Sequence, residues 1–285
     1  MMATTLAAPM LRYDLHCHST FSDGLLPPAE VVRRAARRGV DVLALTDHDE
    51  TAGLDEAAVA AREARIAFVP GAELSVSWDD HTIHIVALGL DASNAGLQQG
   101  LAAVRAGRDT RARRIAAALA DAGILGAWEG ARRYVTSERL ISRTHFARYL
   151  VEAGYCRTTK DVFARYLARG LPGYVQHAWA TLGEAVGWIH GAGGQAVLAH
   201  PGRYKVDAAD MRRLLAEFRD HGGEAIEVLS PSHSAAQVAH FAALARLHGL
   251  AGSTGSDWHG PGESWLDLGD LPPLPGGTVP VWKDW

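Results

Sequence analysis

The sequence predicts an α/β protein of parallel β/α units, interrupted in its middle by a helical insertion. Three observations lead there. Short apolar runs alternate with amphipathic helical stretches from Leu11 to Leu88 and again from Leu182 to Gly255, the order of parallel βαβ units. Between about Asn94 and Gln176 the chain is instead rich in Ala, Arg and Leu at helical spacing, with no convincing strand. Most apolar runs of the outer parts also end directly in a histidine or a carboxylate.

The first apolar segment, Leu11 to Leu15, ends at His16-Cys17-His18. Residues two apart on an extended strand point to one side, so both imidazoles aim at one point while Cys17 faces away. After Asp23-Gly24, Pro27-Pro28-Ala29-Glu30 starts a helix with proline in its first turn. Val31, Val32, Ala35 and Ala36 form its apolar face, and Gly39 closes it. Val40 to Thr46 reads as a buried strand running into Asp47-His48-Asp49. A helix from Leu54 to Arg65 leads to a strand at Ile66 to Pro70, then Gly71-Ala72-Glu73. Thr82 to Leu88 is the next strand, with His84 inside it.

The insertion, drawn at 94–176, holds a long helix from Gly96 to Ala122, a second starting at Thr136 or Ser137 with Ser137 as N-cap, and a third near Thr159 to Ala168. The outer parts, 1–93 and 177–285, form the β/α domain. In its second half, helix Leu182 to His190 precedes strand Gln195 to Ala199 and His200-Pro201-Gly202. Helix Ala208 to His221 precedes Ala225 to Leu229 and Ser230-Pro231-Ser232-His233. Helix Ala235 to His248 precedes Leu250 to Gly255 and Ser256-Asp257-Trp258-His259. The Pro/Gly-rich tail from Gly260 reads as irregular chain wrapping the surface.

Composition narrows the function. Of 285 residues, 48% are hydrophobic and 21% charged, the profile of a globular rather than a disordered chain. A net charge of −4 argues against whole-surface attraction to nucleic acid, leaving room for a local basic pocket. No apolar run approaches the ~20 residues that span a bilayer, and Met1 to Met10 lacks the charge and length pattern of a signal peptide. Two cysteines, Cys17 and Cys156, make no disulfide framework and fit a reducing cytoplasm. No membrane contact or obligate protein partner is implied.

Catalytic residues of parallel β/α folds gather at the C-terminal ends of the strands, where the loops share one mouth. His16, His18, His48, Glu73, His200, Asp257 and His259 all follow strands, and imidazole and carboxylate suit borderline divalent metals. A multinuclear metal site is the expectation. Asp47 and Asp49 flank His48, either orienting ligand rings or serving as a helix cap or turn.

The motifs D-L-H-C-H-S-T-F-S-D-G, L-T-D-H-D, P-G-A-E, H-I-V-A-L-G, A-H-P-G and G-S-D-W-H, in this order, resemble the polymerase and histidinol phosphatase (PHP) superfamily. They span everything but the insertion and tail. With that insertion, the chain is most similar to the branch that removes the 3′-phosphate from nucleoside 3′,5′-bisphosphates, whose relatives include 5′-to-3′ exoribonucleases. The resemblance implies a distorted (β/α)7 barrel holding three metals: manganese first, with iron or zinc as alternatives. It implies that His16, His18, Glu73 and Asp257 hold one metal. Glu73 bridges to a second, held also by His84 and His200, and Asp23, His48 and His259 hold the third. A hydroxide held between the first two, against Glu73, His84 and His200, is the expected nucleophile on phosphorus. Where some relatives carry histidine, Asp23 adds a carboxylate, which favours a harder metal such as manganese.

Within the insertion, Arg105, Arg108, Arg111, Arg113 and Arg114 make a basic run. Arg108 and Arg111 share a helix face and, with Arg143, are candidates to grip a second phosphate; a solvated arginine helix is the alternative. The resemblance assigns them to a substrate's 5′-phosphate. Arg203, Tyr204, Lys205 and His233 are pocket or rim candidates, and Trp179, Trp188 and Trp258 are candidates for stacking on a base. The expected substrate is thus a nucleoside 3′,5′-bisphosphate such as adenosine 3′,5′-bisphosphate. A short 5′-phosphorylated oligoribonucleotide, a histidinol-phosphate-type monoester and a non-enzymatic metal-binding role are the alternatives.

Overall fold

In the computed structural model, which describes residues 11–137 and 140–285, the outer parts form one curved sheet with helices outside it. The N-terminal stretch read above for a signal peptide lies outside the described residues. The first half comprises β1 (Tyr13–Asp14), α1 (Pro28–Arg37), β2 (Val42–Leu45), α2 (Leu54–Ala64), β3 (Ala67–Trp78) and β4 (His81–Leu88). The insertion contributes α3 (Ala95–Asp121), α4 (Ala127–Arg132), α5 (Arg143–Glu152) and α6 (Thr159–Val162). Then follow β5 (Ala180–Thr181), α7 (Leu182–Gly191), β6 (Gln195–Leu198), α8 (Ala208–Asp220), β7 (Ala225–Leu229), α9 (Ala235–His248) and β8 (Ala251–Thr254).

Seven strands pair in the order β1-β2-β3-β4-β6-β7-β8, with β5 alongside β3. The two ends of this path meet beyond β1 and β8. Leu15 N donates to Thr254 O, Asp257 N to His16 O and His18 N to Trp258 O, at 3.0, 2.8 and 2.9 Å. The result is the nearly closed barrel that the resemblance implied. Side chains alternate across its wall as a pleated strand requires. Val42 and Ala44 join Leu15, Val69, Val86, Val197 and Ala225 in an inner cluster, while Leu43 and Leu45 pack outward with Val31, Val32 and Ala35 of α1.

The sheet departs from the expected all-parallel order at one strand. β3 does not stop at Pro70 but runs on through Glu73 to Trp78, turns over Asp79-Asp80 and returns as β4, antiparallel to both β3 and β6. Asp79 adopts φ 47°, the left-handed conformation that a two-residue hairpin demands and that aspartate tolerates. Because β4 runs backwards, its N-terminal half lies at the mouth. His84 therefore reaches the mouth from mid-strand.

The insertion packs around a second apolar cluster, with Ile115 and Leu119 of α3 against Phe146, Ala147 and Leu150 of α5. Its second long helix starts later than expected. Ser142, not Ser137, is the N-cap, and it forms a capping box with His145. The tail does more than wrap the surface: Gly252 N donates to Val279 O and Gly252 O accepts from Val281 N, at 2.7 and 3.0 Å, and Tyr13 stacks on Trp282 at 4.1 Å, plugging the end of the barrel opposite the mouth. Among the described residues, no helix is long and apolar enough to cross a membrane.

Gly71 marks where β3 passes from β2 to β4. A Cβ there would lie 2.7 Å from Ala87 O and 2.9 Å from Thr46 Cγ2, both held by the sheet. Gly71→Ala is expected to cost about 1–3 kcal/mol through overpacking, read as a lower urea midpoint. An unchanged midpoint would contradict this account of the junction.

Candidate metal centre and the cavity around it

The strands deliver nine donors to one place. His16 and His18 follow β1, His48 follows β2, Glu73 lies in β3, His84 in β4, and His200 follows β6. Asp257 and His259 follow β8, and Asp23 comes from the loop before α1. Close approach is built in: a Cβ on Gly255 would sit 2.2 Å from the His16 Cβ, so the backbone after β8 packs directly on that candidate donor. Seven of the nine line a cavity of about 1050 Å3, and His16 and His18 lie buried beneath it.

The donor atoms form overlapping groups. In the first, His16 Nε2 lies 3.1 Å from His18 Nε2, 3.3 Å from Glu73 Oε2 and 3.4 Å from Asp257 Oδ1. His18 Nε2 is 3.3 and 3.1 Å from the same two oxygens. Four donors about 2.0–2.1 Å from one ion are separated by about 3.3–3.4 Å in a tetrahedron, so these spacings suit a divalent metal. The other carboxylate oxygen, Glu73 Oε1, lies 2.7 Å from His84 Nδ1 and 2.8 Å from His200 Nε2. In the third group, Asp23 Oδ1 lies 3.3 Å from His259 Nε2 and 3.8 Å from His48 Nε2.

Two rings are shared where the resemblance placed each with one metal. His48 turns Nδ1 to Glu73 Oε2 at 2.8 Å and Nε2 to Asp23, while His18 also falls within the Asp23, His48 and His259 group. Asp23 Oδ1, His48 Nδ1 and Glu73 Oε2 are buried yet make no hydrogen bond. They crowd together without donor and acceptor aligned, as lone pairs converging on a cation would.

Charge in the cluster is lopsided. Burial favours the neutral acids, but His48, His259 and His18 around Asp23, and His84, His48 and His16 around Glu73, hold both carboxyls well below their usual range. Asp257 is held down likewise, chiefly by Arg203 and His16. Burial pushes His18 down to about 3 and His84 to about 4. Burial also opposes the charged forms of His16 and His259, but carboxylates override it: Glu227, Glu73 and Asp257 raise His16, and Asp23 lifts His259 to about 9.

Residues behind the donors fix them. Glu227, buried mid-strand in β7, places Oε1 2.6 Å from His16 Nδ1 and accepts from His200 N at 2.6 Å through Oε2. It is one of the residues that sequence reasoning missed, although a lone acid inside Ala-Ile-Glu-Val-Leu was a usable signal. Asp47 and Asp49 do not hold the rings they flank. Asp47 accepts from Ser19 N and from Ser22 Oγ, at 2.7 and 2.5 Å, pinning the loop around His18. Asp49 accepts from Ser75 N and Arg108 Nε, at 2.7 and 2.6 Å.

From the insertion, Ser142 Oγ donates to Asp23 Oδ2 at 2.8 Å, and Arg148 donates to Asp23 O at 2.6 Å while pairing with Glu263. His233 is no donor to the cluster; it braces the turn after His200 by accepting from Gly202 N at 3.0 Å. Tyr204 accepts from His84 N at 2.9 Å, and Arg203 lines the cavity on Asp257 Oδ2.

The three candidate arginines face the same cavity. Arg108 and Arg111 are nearly buried and lie 5.1 and 5.3 Å above the Trp179 ring, while Arg143 lies 5.6 Å above Phe163. Burial, then the charges of Arg143 and Arg108, press Arg111 down to about 9. Trp188 is used in packing, against Gly100, and Trp258 is buried below Arg34.

Replacing carboxylates behind metal-bound histidines typically weakens metal binding about 10- to 100-fold. Glu227→Gln is expected to do so, measured by competitive titration with a chelating dye. Unchanged affinity would mean that Glu227 serves folding alone.

The PHP domain profile matches residues 14–228. The chain is 51% identical over 278 residues to the 3′,5′-nucleoside bisphosphate phosphatase of Chromobacterium violaceum, covering 96% of both. It is 46% identical over 275 residues to the 5′-3′ exoribonuclease Rnm of Salmonella typhimurium, covering 96% of this chain and 93% of that one. Among solved structures, it matches an amidohydrolase from Chromobacterium violaceum with bound sulfate at TM-score 0.93, 51% identity and 95% of each chain. A protein described as a metal-dependent phosphoesterase, from Bifidobacterium adolescentis, matches at TM-score 0.83, 30% identity and 96% and 94% of the two chains.

Proposed function

The chain belongs to the PHP domain family and is a phosphoric ester hydrolase, and we propose that it removes the 3′-phosphate from nucleoside 3′,5′-bisphosphates. One observation carries this reading: a cluster of metal donors and a separate group of arginines face one cavity. The nine-donor cluster is suited to one phosphate. Across the cavity, Arg108, Arg111 and Arg143 are suited to a second.

Asp49 is the carboxylate on Arg108, and Arg111 spends its Nε on Val175 O at 3.0 Å. Stacking on Trp179 and Phe163 holds the guanidinium planes before a substrate arrives, which reduces the ordering cost of binding. A 5′-phosphate among them would offset the mutual repulsion that lowers Arg111.

Three divalent ions would be held as the motifs imply: by His16, His18, Glu73 and Asp257, by Glu73, His84 and His200, and by Asp23, His48 and His259. We favour manganese over iron and zinc because three of the nine donors are carboxylates. Such ions supply positive charge against the phosphoryl oxygens and lower the pKa of a water. The residues themselves set the position: Glu227 and Ser142 hold donors in place, and the arginines fix which end of the nucleotide meets them. Two buried, unpaired cysteines accord with the cytoplasmic location we favour.

A second reading, 5′-to-3′ exoribonuclease activity on 5′-phosphorylated RNA, is favoured by the size of the cavity. At about 1050 Å3 it lies at the upper end of the range that serves a single small ligand. A histidinol-phosphate-type substrate would leave the arginines unused.

Arg111→Ala and Arg143→Ala are expected to lower kcat/KM for adenosine 3′,5′-bisphosphate by about 10- to 100-fold. Hydrolysis of adenosine 3′-monophosphate, which lacks the 5′-phosphate, should be unaffected. Equal losses on both substrates would refute the clamp.

His84→Ala and His200→Ala should lose bound metal and activity while keeping the far-ultraviolet circular dichroism of the parent. Full activity with full metal content in either variant would remove that residue from the site.

A further inference from the structure

Three aromatic side chains line the cavity: Trp179, Phe163 and Trp265. Arg108 and Arg111 cover the first, and Arg143 covers the second. Trp265 is instead 87% exposed. Single exposed hydrophobic residues are ordinary, but this one is held in place by its neighbours. Ser264 Oγ accepts from His259 N at 2.7 Å, and Glu263 grips Arg148, which also reaches Asp23 O. The ring therefore stands on a turn fastened to the Asp23 and His259 side of the donor cluster. Arg108 is fastened elsewhere, to Asp49 and Ser75 beside His48 and Glu73.

We propose that Trp265 is a base-stacking platform for the nucleotide on the 3′ side of the scissile phosphate in a 5′-phosphorylated oligoribonucleotide. This rests on the two-phosphate reading above. The bond chemistry is the same for both substrates. Water adds to phosphorus, the P–O3′ bond of the first nucleotide breaks, and O3′ takes a proton. With a bisphosphate the product is inorganic phosphate. With an oligonucleotide the phosphate stays on the 5′ end of the shortened chain and becomes the next 5′-phosphate. Only the second substrate has a base beyond phosphorus, and only that base needs a platform. Tryptophan stacks on any base, so the site tolerates sequence while favouring chain length.

The test compares the nucleoside 3′,5′-bisphosphate pNp with pNpN and pNpNpN on the metal-loaded protein. The native chain should gain in kcat/KM when the second nucleotide is added. Trp265→Ala should lose about tenfold or more on pNpN and pNpNpN, with pNp turnover unchanged, and Trp265→Phe should restore most of the loss. Equal loss on all three substrates, or no loss on any, overturns the platform. If the native chain hydrolyses pNp but gains nothing from a second nucleotide, the platform falls and the phosphatase reading stands. If it hydrolyses none of them, both fall.

Discussion

The site depends on one buried carboxylate. Glu73 is fully excluded from solvent, and five imidazoles crowd its two oxygens: His84 and His200 at Oε1, and His16, His18 and His48 at Oε2. A charge in such a place is tolerated only when it is paired. The pairing groups come from the ends or middles of four different strands, so the barrel has to close for Glu73 to be satisfied. Closure itself runs through the donor segments, since the backbone hydrogen bonds of His16, His18 and Asp257 join β1 to β8. Site and fold are held by the same residues.

That shared origin explains what could be read in the sequence. A strand that ends in a candidate metal donor announces itself twice, by its apolar run and by the polar residue after it. His16, His18, His48, His200, Asp257 and His259 were visible for that reason. The β3–β4 hairpin was not, because Gly71-Ala72-Glu73 looks like a strand end when it is the middle of a strand twelve residues long. Direction is carried by the Asp79-Asp80 turn, which hydrophobic pattern does not report. Ser137 and Ser142 are equally good caps by residue type, and only packing chooses between them. Ser142 is the cap, and its hydroxyl also reaches Asp23. Arg148 had no local signal at all: it is one arginine among many until the fold sets it against Glu263.

The insertion is not an appendage to this site. Among the described residues, its α3 sends Arg108 beneath the cavity to Asp49, and its α5 begins at the serine that holds Asp23. An isolated barrel would leave the Asp49 carboxylate without its buried cation and Asp23 with one oxygen unheld. Removing one partner from a buried pair costs more than the pair contributes. The same argument makes burial of Arg108 compatible with stability, since arginine is almost never buried without a partner.

Two dipeptides couple the two halves of the cavity. His48-Asp49 places a donor to the cluster beside the carboxylate that holds Arg108. Ser142-Arg143 places the residue that positions Asp23 beside an arginine of the second group. Adjacent Cα atoms are about 3.8 Å apart across a trans peptide, so neither the donor cluster nor the arginine group can shift far without moving the other. On the proposed function, the gap between them is a fixed ruler for two phosphates on one ribose. Energy gained at the remote phosphate is then available to orient the reacting one. On that reading a ligand with a single phosphate engages one end of the ruler and gains nothing from the other, so the peptide bonds set the spacing that the arginine contacts then exploit.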